Sequence, residues 1–235
     1  MFIGHFAPAF AARAVTGEAP KLGTLFVAAQ LTDWAFFLFA LGGIEHLRLV
    51  PGITAMNPLD FYDYPITHSL LGTAGFALAM AIVVGLLMRN AVAATWAGIV
   101  VLSHWALDWL SHRPDLTLAG GEPKIGLGLW NYPLAAMGIE LALLGLAVWW
   151  YLRRTKGPVG PIAILVCVML TFQAINWFGP EPQDVGAPFL LLGLFAFGVL
   201  TFIAFWVGLT FIAFWVGNSR WHRNEIGLGV ASPPR

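Results

Sequence analysis

Hydrophobic positions along this chain fall into six continuous runs separated by short polar breaks, over roughly 22–44, 66–88, 91–111, 132–152, 158–178 and 187–217. A helix needs about 20 apolar residues to cross a bilayer, and each run is at least that order of length. The runs are unbroken, which predicts helices. Strands of a membrane barrel would alternate apolar and polar residues over segments of about ten. The expected fold is an all-α polytopic transmembrane helix bundle of about six spans. It forms one domain over residues 1–220, with a cytoplasmic C-terminal tail at 221–235. Residues 1–15 are apolar but too short to span, so they are expected to be an amphipathic or re-entrant segment. No basic residue precedes them, so they do not read as a cleaved signal peptide.

Composition sharpens this picture. Of 235 residues, 59% are hydrophobic and 10% are charged. Soluble domains run at about 45–50% apolar and about 25% charged, so a water-soluble globule is excluded. A disordered chain would be charge-rich and poor in aromatics. Cys167 is the only cysteine, so disulfides cannot organise the fold. The formal net charge of zero gives no reason to expect nucleic-acid binding; membrane lipids are the expected surroundings.

Positive charge sets the expected orientation. With residues 1–21 cytoplasmic, that side carries Arg13, Lys21, Arg89, Arg153, Arg154, Lys156, Arg220, Arg223 and Arg235, nine in all, against Arg48, Arg113 and Lys124, three, on the other. Both termini are then expected inside. The longer loops, 45–65 and 113–131, fall on the opposite side, and loops of that kind are where working residues concentrate. One repeat is present: LTFIAFWVG occupies 200–208 and again 209–217. At 1.5 Å per residue a nine-residue unit adds about 13.5 Å. It makes the sixth stretch longer than an upright span and offers a surface for a partner subunit.

Ionisable groups inside spans cost about 2.5–3.5 kcal/mol each at a helix centre, and they usually mark a site. The third run reads Ser103-His104-Trp105-Ala106-Leu107-Asp108-Trp109-Leu110-Ser111-His112. His104 and Asp108 are four apart and share one face; Ser111 and His112 continue the stripe. An i,i+4 pair of this kind can aim two ligands at one ion, as paired His do in helical zinc motifs. His68, in Thr67-His68-Ser69, lies near the same end of the second run, and Asp33 lies mid-span in the first. Glu140 stands alone in the fourth. His46, His112 and His222 are ordinarily interfacial, and Gln173 and Asn176 read as interhelical hydrogen bonders.

At these residues the sequence resembles a bacterial inner-membrane family of metal-dependent hydrolases, also described as LexA-binding, inner-membrane-associated hydrolases. Its pattern is a His near the N-terminus, an Asp in the next apolar segment, a Thr-His-Ser-Leu block and a Ser-His-x-x-x-Asp helix. Here these are His5, Asp33, Thr67-His68-Ser69-Leu70 and Ser103-His104-Trp105-Ala106-Leu107-Asp108, in order within roughly residues 1–130. The family's Leu-Pro-Asp-x-Asp is replaced by Leu31-Thr32-Asp33-Trp34-Ala35, with one carboxylate, which favours one metal over two. The resemblance implies a site more than a particular reaction.

These readings converge on a divalent metal ion, zinc first, held by His68, His104, Asp108 and Asp33 with His5 as a fifth ligand. Glu140 or His112 is the expected general base, and the expected task is hydrolysis of a lipid or lipid-linked substrate in the bacterial inner membrane. The alternatives from other classes are a non-enzymatic accessory or assembly subunit and a haem carrier with His68 and His104 as axial ligands.

Overall fold

The computed structural model describes residues 1–156, 159–209 and 221–222. A 3-10 turn at Ile3–Phe6 leads into α1 (Ala7–Val15), α2 (Leu22–Leu41), β1 (His46–Leu49), β2 (Leu59–Asp63), α3 (Leu70–Met88) and α4 (Ala91–Ser111). Next come β3 (Leu116–Thr117), β4 (Lys124–Ile125), a 3-10 turn at Leu129–Asn131, α5 (Pro133–Arg154), β5 (Thr155–Lys156), α6 (Gly160–Phe178), α7 (Ala187–Leu209) and β6 (Trp221–His222). Six of the described helices, α2 to α7, are long and apolar enough to cross a membrane. Their outward faces are greasy: Leu71, Leu86, Leu87, Leu134 and Phe195 are all largely exposed. Apolar patches of that extent belong against lipid, so the chain is a multi-pass membrane protein, and the described residues form no barrel.

Local chemistry sets the boundaries. Asn90 caps α4 by accepting from Ala93 N at 3.0 Å, and Arg89, at φ 51, turns the chain between α3 and α4. Pro8, Pro133, Pro161 and Pro188 each sit in a first helical turn, where the missing N–H costs nothing. Small residues let α3 and α4 approach closely, with Gly98 against the Ala77 carbonyl.

Two boundaries differ from expectation in ways that matter. The second span begins at Leu70, because Ser69 is its N-cap and accepts from Gly72 N at 3.0 Å. His68 therefore stands in the preceding turn and not on the helix. The sixth span is described to Leu209, the first residue of the second copy of the nine-residue repeat; the rest of that copy, and the partner surface expected there, lie outside the described residues. Of the tail, Trp221–His222 pairs antiparallel with β5.

The N-terminal segment re-enters the bundle. Ile3, Phe6, Ala9, Phe10, Ala12 and Ala14 are fully buried and pack with Leu25, Phe26 and Tyr151 in the central core. The 16–21 turn lies at the same end as Arg154 and Asn90, which reach Ala14 O at 3.3 Å and Glu18 at 3.2 Å. From there α1 climbs inward, and the Met1 amino nitrogen lies 3.0 Å from Ser111 Oγ, at the far end of α4. Residue 1 thus lies inside the bundle, as a re-entrant segment requires. The far end is closed by two small antiparallel pairs, β1 with β2 and β3 with β4. They are stitched to α3 through Leu71 N and the Leu118 carbonyl at 2.9 Å.

Candidate metal centre

The site forms where the α2 midpoint, the 66–69 turn, the far end of α4 and the N-terminal 3-10 turn meet. α4 supplies His104 and Asp108 from one face, and the ring Nε2 lies 3.1 Å from Asp108 Oδ2. α2 brings Asp33, whose Oδ1 is 3.4 Å from Nε2 of both His104 and His68. His68 Nε2 is also 3.6 Å from Asp108 Oδ2. The ligand atoms of Asp33, His68 and His104 all lie within 4.8 Å of one another, as do those of His5, His104 and Asp108.

The tautomers are set by the outer partners. His104 Nδ1 is 2.8 Å from the Ala29 carbonyl, which only accepts, so Nδ1 carries a proton and Nε2 is the nitrogen turned to the cluster. Thr67 Oγ1 donates to Glu45 Oε2 at 2.6 Å and is 2.8 Å from His68 Nδ1. Its hydrogen is committed, so it accepts from His68 and turns that Nε2 inward as well. Glu45 is fully buried and holds the turn by also accepting from Ile66 N at 2.7 Å and Thr67 N at 2.9 Å. Such outer partners fix ring orientation and raise ligand basicity in metal sites.

The donor set fits an ion. Bonds of about 2.0–2.1 Å to nitrogen and oxygen give a tetrahedral edge of about 3.3–3.4 Å, and an octahedral edge of about 2.9 Å. The four nitrogen–oxygen separations, 3.1 to 3.6 Å, lie around the length of one tetrahedral edge. His104 Nε2 is buried and makes no well-aligned hydrogen bond although two carboxylate oxygens stand 3.1 and 3.4 Å away, an arrangement a cation would satisfy. The Met1 amino group lies 3.2 Å from Asp108 Oδ1, and the second carboxylate, Asp33, calls for further positive charge. A haem does not fit, because Asp33 and Asp108 fill the space between the two imidazoles.

The remaining predicted residues divide. His5 reaches the cluster from the re-entrant turn, its ring stacked on His104 at 3.8 Å and 9°. Its Nε2 is 3.1 Å from Asp108 Oδ1, the oxygen turned away from His68 and His104. His112 Nε2 approaches the same oxygen at 3.6 Å. Its Nδ1 faces Asp115 at 3.1 Å, and Tyr64 donates to that carboxylate at 2.6 Å. Burial, and then the adjacent Asp115 charge, push the Tyr64 phenol well above its usual range. Glu140 is a correction. In place of a base at the ion, it accepts from Phe2 N at 2.6 Å and Gly4 N at 2.9 Å through Oε1, and from Gln173 at 3.3 Å through Oε2. His46, on β1, pairs at the surface with Asp63 at 3.0 Å.

Sequence reasoning did not find Glu45, Thr67, Tyr64 or Asp115 as supporting groups. Only Thr67 carried a signal, its place beside His68. Arg113 stands over this end, bonded to Asp60 and 3.4 Å from Asp115 Oδ2, while Arg48 holds the other Asp60 oxygen at 2.7 Å. Comparison with protein-family models, curated proteins and solved structures gives no match to this chain, so the site stands on its own geometry.

Proposed function

We propose that this chain is a membrane-embedded, metal-dependent hydrolase that holds one divalent ion, zinc by its donor set, between Asp33, His68, His104 and Asp108. The observation that carries the reading is the convergence of two imidazole Nε2 atoms and two carboxylate oxygens at nitrogen–oxygen separations of 3.1 to 3.6 Å. When bound, such an ion supplies Lewis acidity towards water and towards a scissile acyl or phosphoryl group.

The chain's own residues do the rest. Ala29 and Thr67 keep the His104 and His68 protons on Nδ1. Asp115 does the same for His112, leaving its Nε2 to accept a proton from water on the Asp108 flank as general base. Asp33 is 16% exposed while the other three side chains are at 3% or less, so it faces the route by which substrate and water enter. Phe36, Tyr64 and Leu116 are buried together at the far end and exclude bulk water there.

Depth supports a lipid or lipid-linked ester or phosphate as substrate. His104 and Asp108 lie seven and three residues before the end of α4, about 10 Å and 5 Å inside it at 1.5 Å per residue. That is where lipid linkages meet the acyl chains. The basic residues gathered at the Lys21 end support a bacterial inner-membrane location with that end cytoplasmic and the 45–69 and 112–132 loops outside.

The test is turnover by the protein in lipid nanodiscs, with fatty acid or phosphate release measured over a panel of lipid esters and lipid phosphates. Release that disappears with chelator and in Asp108→Asn supports the reading; none from any lipid contradicts it. One observation favours a second reading: four protein donors would leave an ion no open position, as in structural zinc sites. A non-enzymatic assembly subunit would then hold zinc, turn over nothing and copurify with a stoichiometric partner.

A further inference from the structure

Three buried polar side chains from three helices grip the backbone of residues 2–4. Glu140 on α5 accepts from the Phe2 and Gly4 amides through one oxygen. Gln173 on α6 accepts from Ile3 N at 3.2 Å and donates to Glu140. Gln30 on α2 donates to the Phe2 carbonyl at 3.3 Å. All three are nearly or fully buried. A 3-10 turn leaves its leading amides without partners inside the turn. In an apolar bundle each such amide would cost free energy, and here all three are met by side chains.

The grip does not depend on the side chains that residues 2–4 carry; its effect is on the orientation of His5, the next residue along. His5 leaves the turn stacked on His104, with Nε2 at Asp108 Oδ1. The packing is close on the clamp side as well, since a Cβ at Gly4 would meet Glu140 Cγ at 3.3 Å.

We infer that Glu140 is a positioning residue that sets His5 against the Asp108 carboxylate by holding the backbone of the re-entrant turn. Its consequence for the ion rests on the metal-centre reading above; its consequence for His5 does not. Without the clamp the turn loses its fixed register and the imidazole leaves His104. Removal of a partner that orients a metal-site residue typically weakens metal binding by about 10–100-fold.

The experiment uses the full chain in nanodiscs, stripped of metal, with diethyl pyrocarbonate labelling of each histidine read by mass spectrometry. In the unmodified protein and in Glu140→Gln, whose amide oxygen still accepts from both N–H groups, His5 and His104 stay protected while exposed His46 labels. In Glu140→Leu, His5 labels at least about tenfold faster, with His104 and His46 unchanged. Gln173→Leu, which removes the Ile3 contact, is the second variant should Glu140→Leu not fold, and is expected to free His5 in the same selective way. Zinc affinity then falls by the factor above in Glu140→Leu and falls no further when His5→Ala is added.

Continued protection of His5 in the folded variant overturns the inference. Labelling of His5 and His104 together does so too, because it marks a general loss of packing. A protein that takes up no zinc, yet frees His5 selectively in Glu140→Leu, overturns the metal reading and leaves this one standing.

Discussion

His104 and Ala29 lie on neighbouring helices, with the imidazole Nδ1 2.8 Å from the carbonyl oxygen. In an α-helix that carbonyl also accepts from the amide four residues on, which here is that of Asp33. The turn of α2 that holds the ring is therefore the turn that presents the carboxylate to the ring's other nitrogen, 3.4 Å away. Tautomer, ring orientation and one ligand position are fixed by a single helix contact.

The Glu45–Thr67–His68 chain predicts a graded response. Thr67→Val keeps the shape and removes the hydroxyl, leaving Glu45 Oε2 and His68 Nδ1 without their shared partner. Zinc affinity is expected to fall about 10–100-fold, with the fold retained. Glu45→Gln should act in the same direction and also loosen the 66–69 turn. Competition titration with a chromophoric chelator measures both; unchanged affinity in Thr67→Val would show that the hydroxyl does not orient His68.

Two glycines of α3 predict opposite outcomes. A Cβ at Gly72 would fall on the Ile66 carbonyl, the backbone of the turn that carries His68. Gly72→Ala is expected to cost about 1–3 kcal/mol, as overpacking does. Gly75 has nothing within 4 Å of the added carbon. Gly75→Ala is expected to be neutral or to stabilise by about 0.5–1 kcal/mol, the helix preference of Ala over Gly. Thermal unfolding midpoints in detergent separate the two; equal midpoints would count against the tight 66–72 turn.

Tyr64 predicts an alkaline signature. Its phenol is held above its ordinary value by burial and by Asp115. A group whose pKa is higher folded than unfolded contributes stability that is complete below the unfolded value, about pH 10, and is lost as pH rises through the folded value. Among the four tyrosines, Tyr64 should ionise only above the ordinary phenol range. Absorbance titration near 295 nm should show a late component that Tyr64→Phe removes. A titration unchanged by that substitution would contradict the buried contact.

The parts of the site carried by helix periodicity were legible before the structure. His104 and Asp108 share a face because they are four apart, and continuous apolar runs located the first five spans, and the start of the sixth, to within a few residues. Asp33 was conspicuous because a carboxylate in lipid needs a reason. Glu45, Tyr64 and Asp115 were not legible as supports. They sit in loops, where no period links a residue to its partner, and acidic or aromatic loop residues are ordinary. Glu140 was conspicuous for the same reason as Asp33, but its partners are backbone amides, which every residue has and no sequence pattern marks. The re-entrant path of 1–15 was one of two readings, since a short apolar helix has the same composition on a surface as in a core.

The most direct test of the metal centre is the metal content and X-ray absorption spectrum of the purified protein after zinc loading and dialysis. The expected result is about one zinc per chain, with nitrogen and oxygen ligands at about 2.0–2.1 Å, lost in His104→Ala. Zinc below about 0.2 per chain, unchanged by His104→Ala, would contradict it, since a four-donor site of this kind should retain its ion.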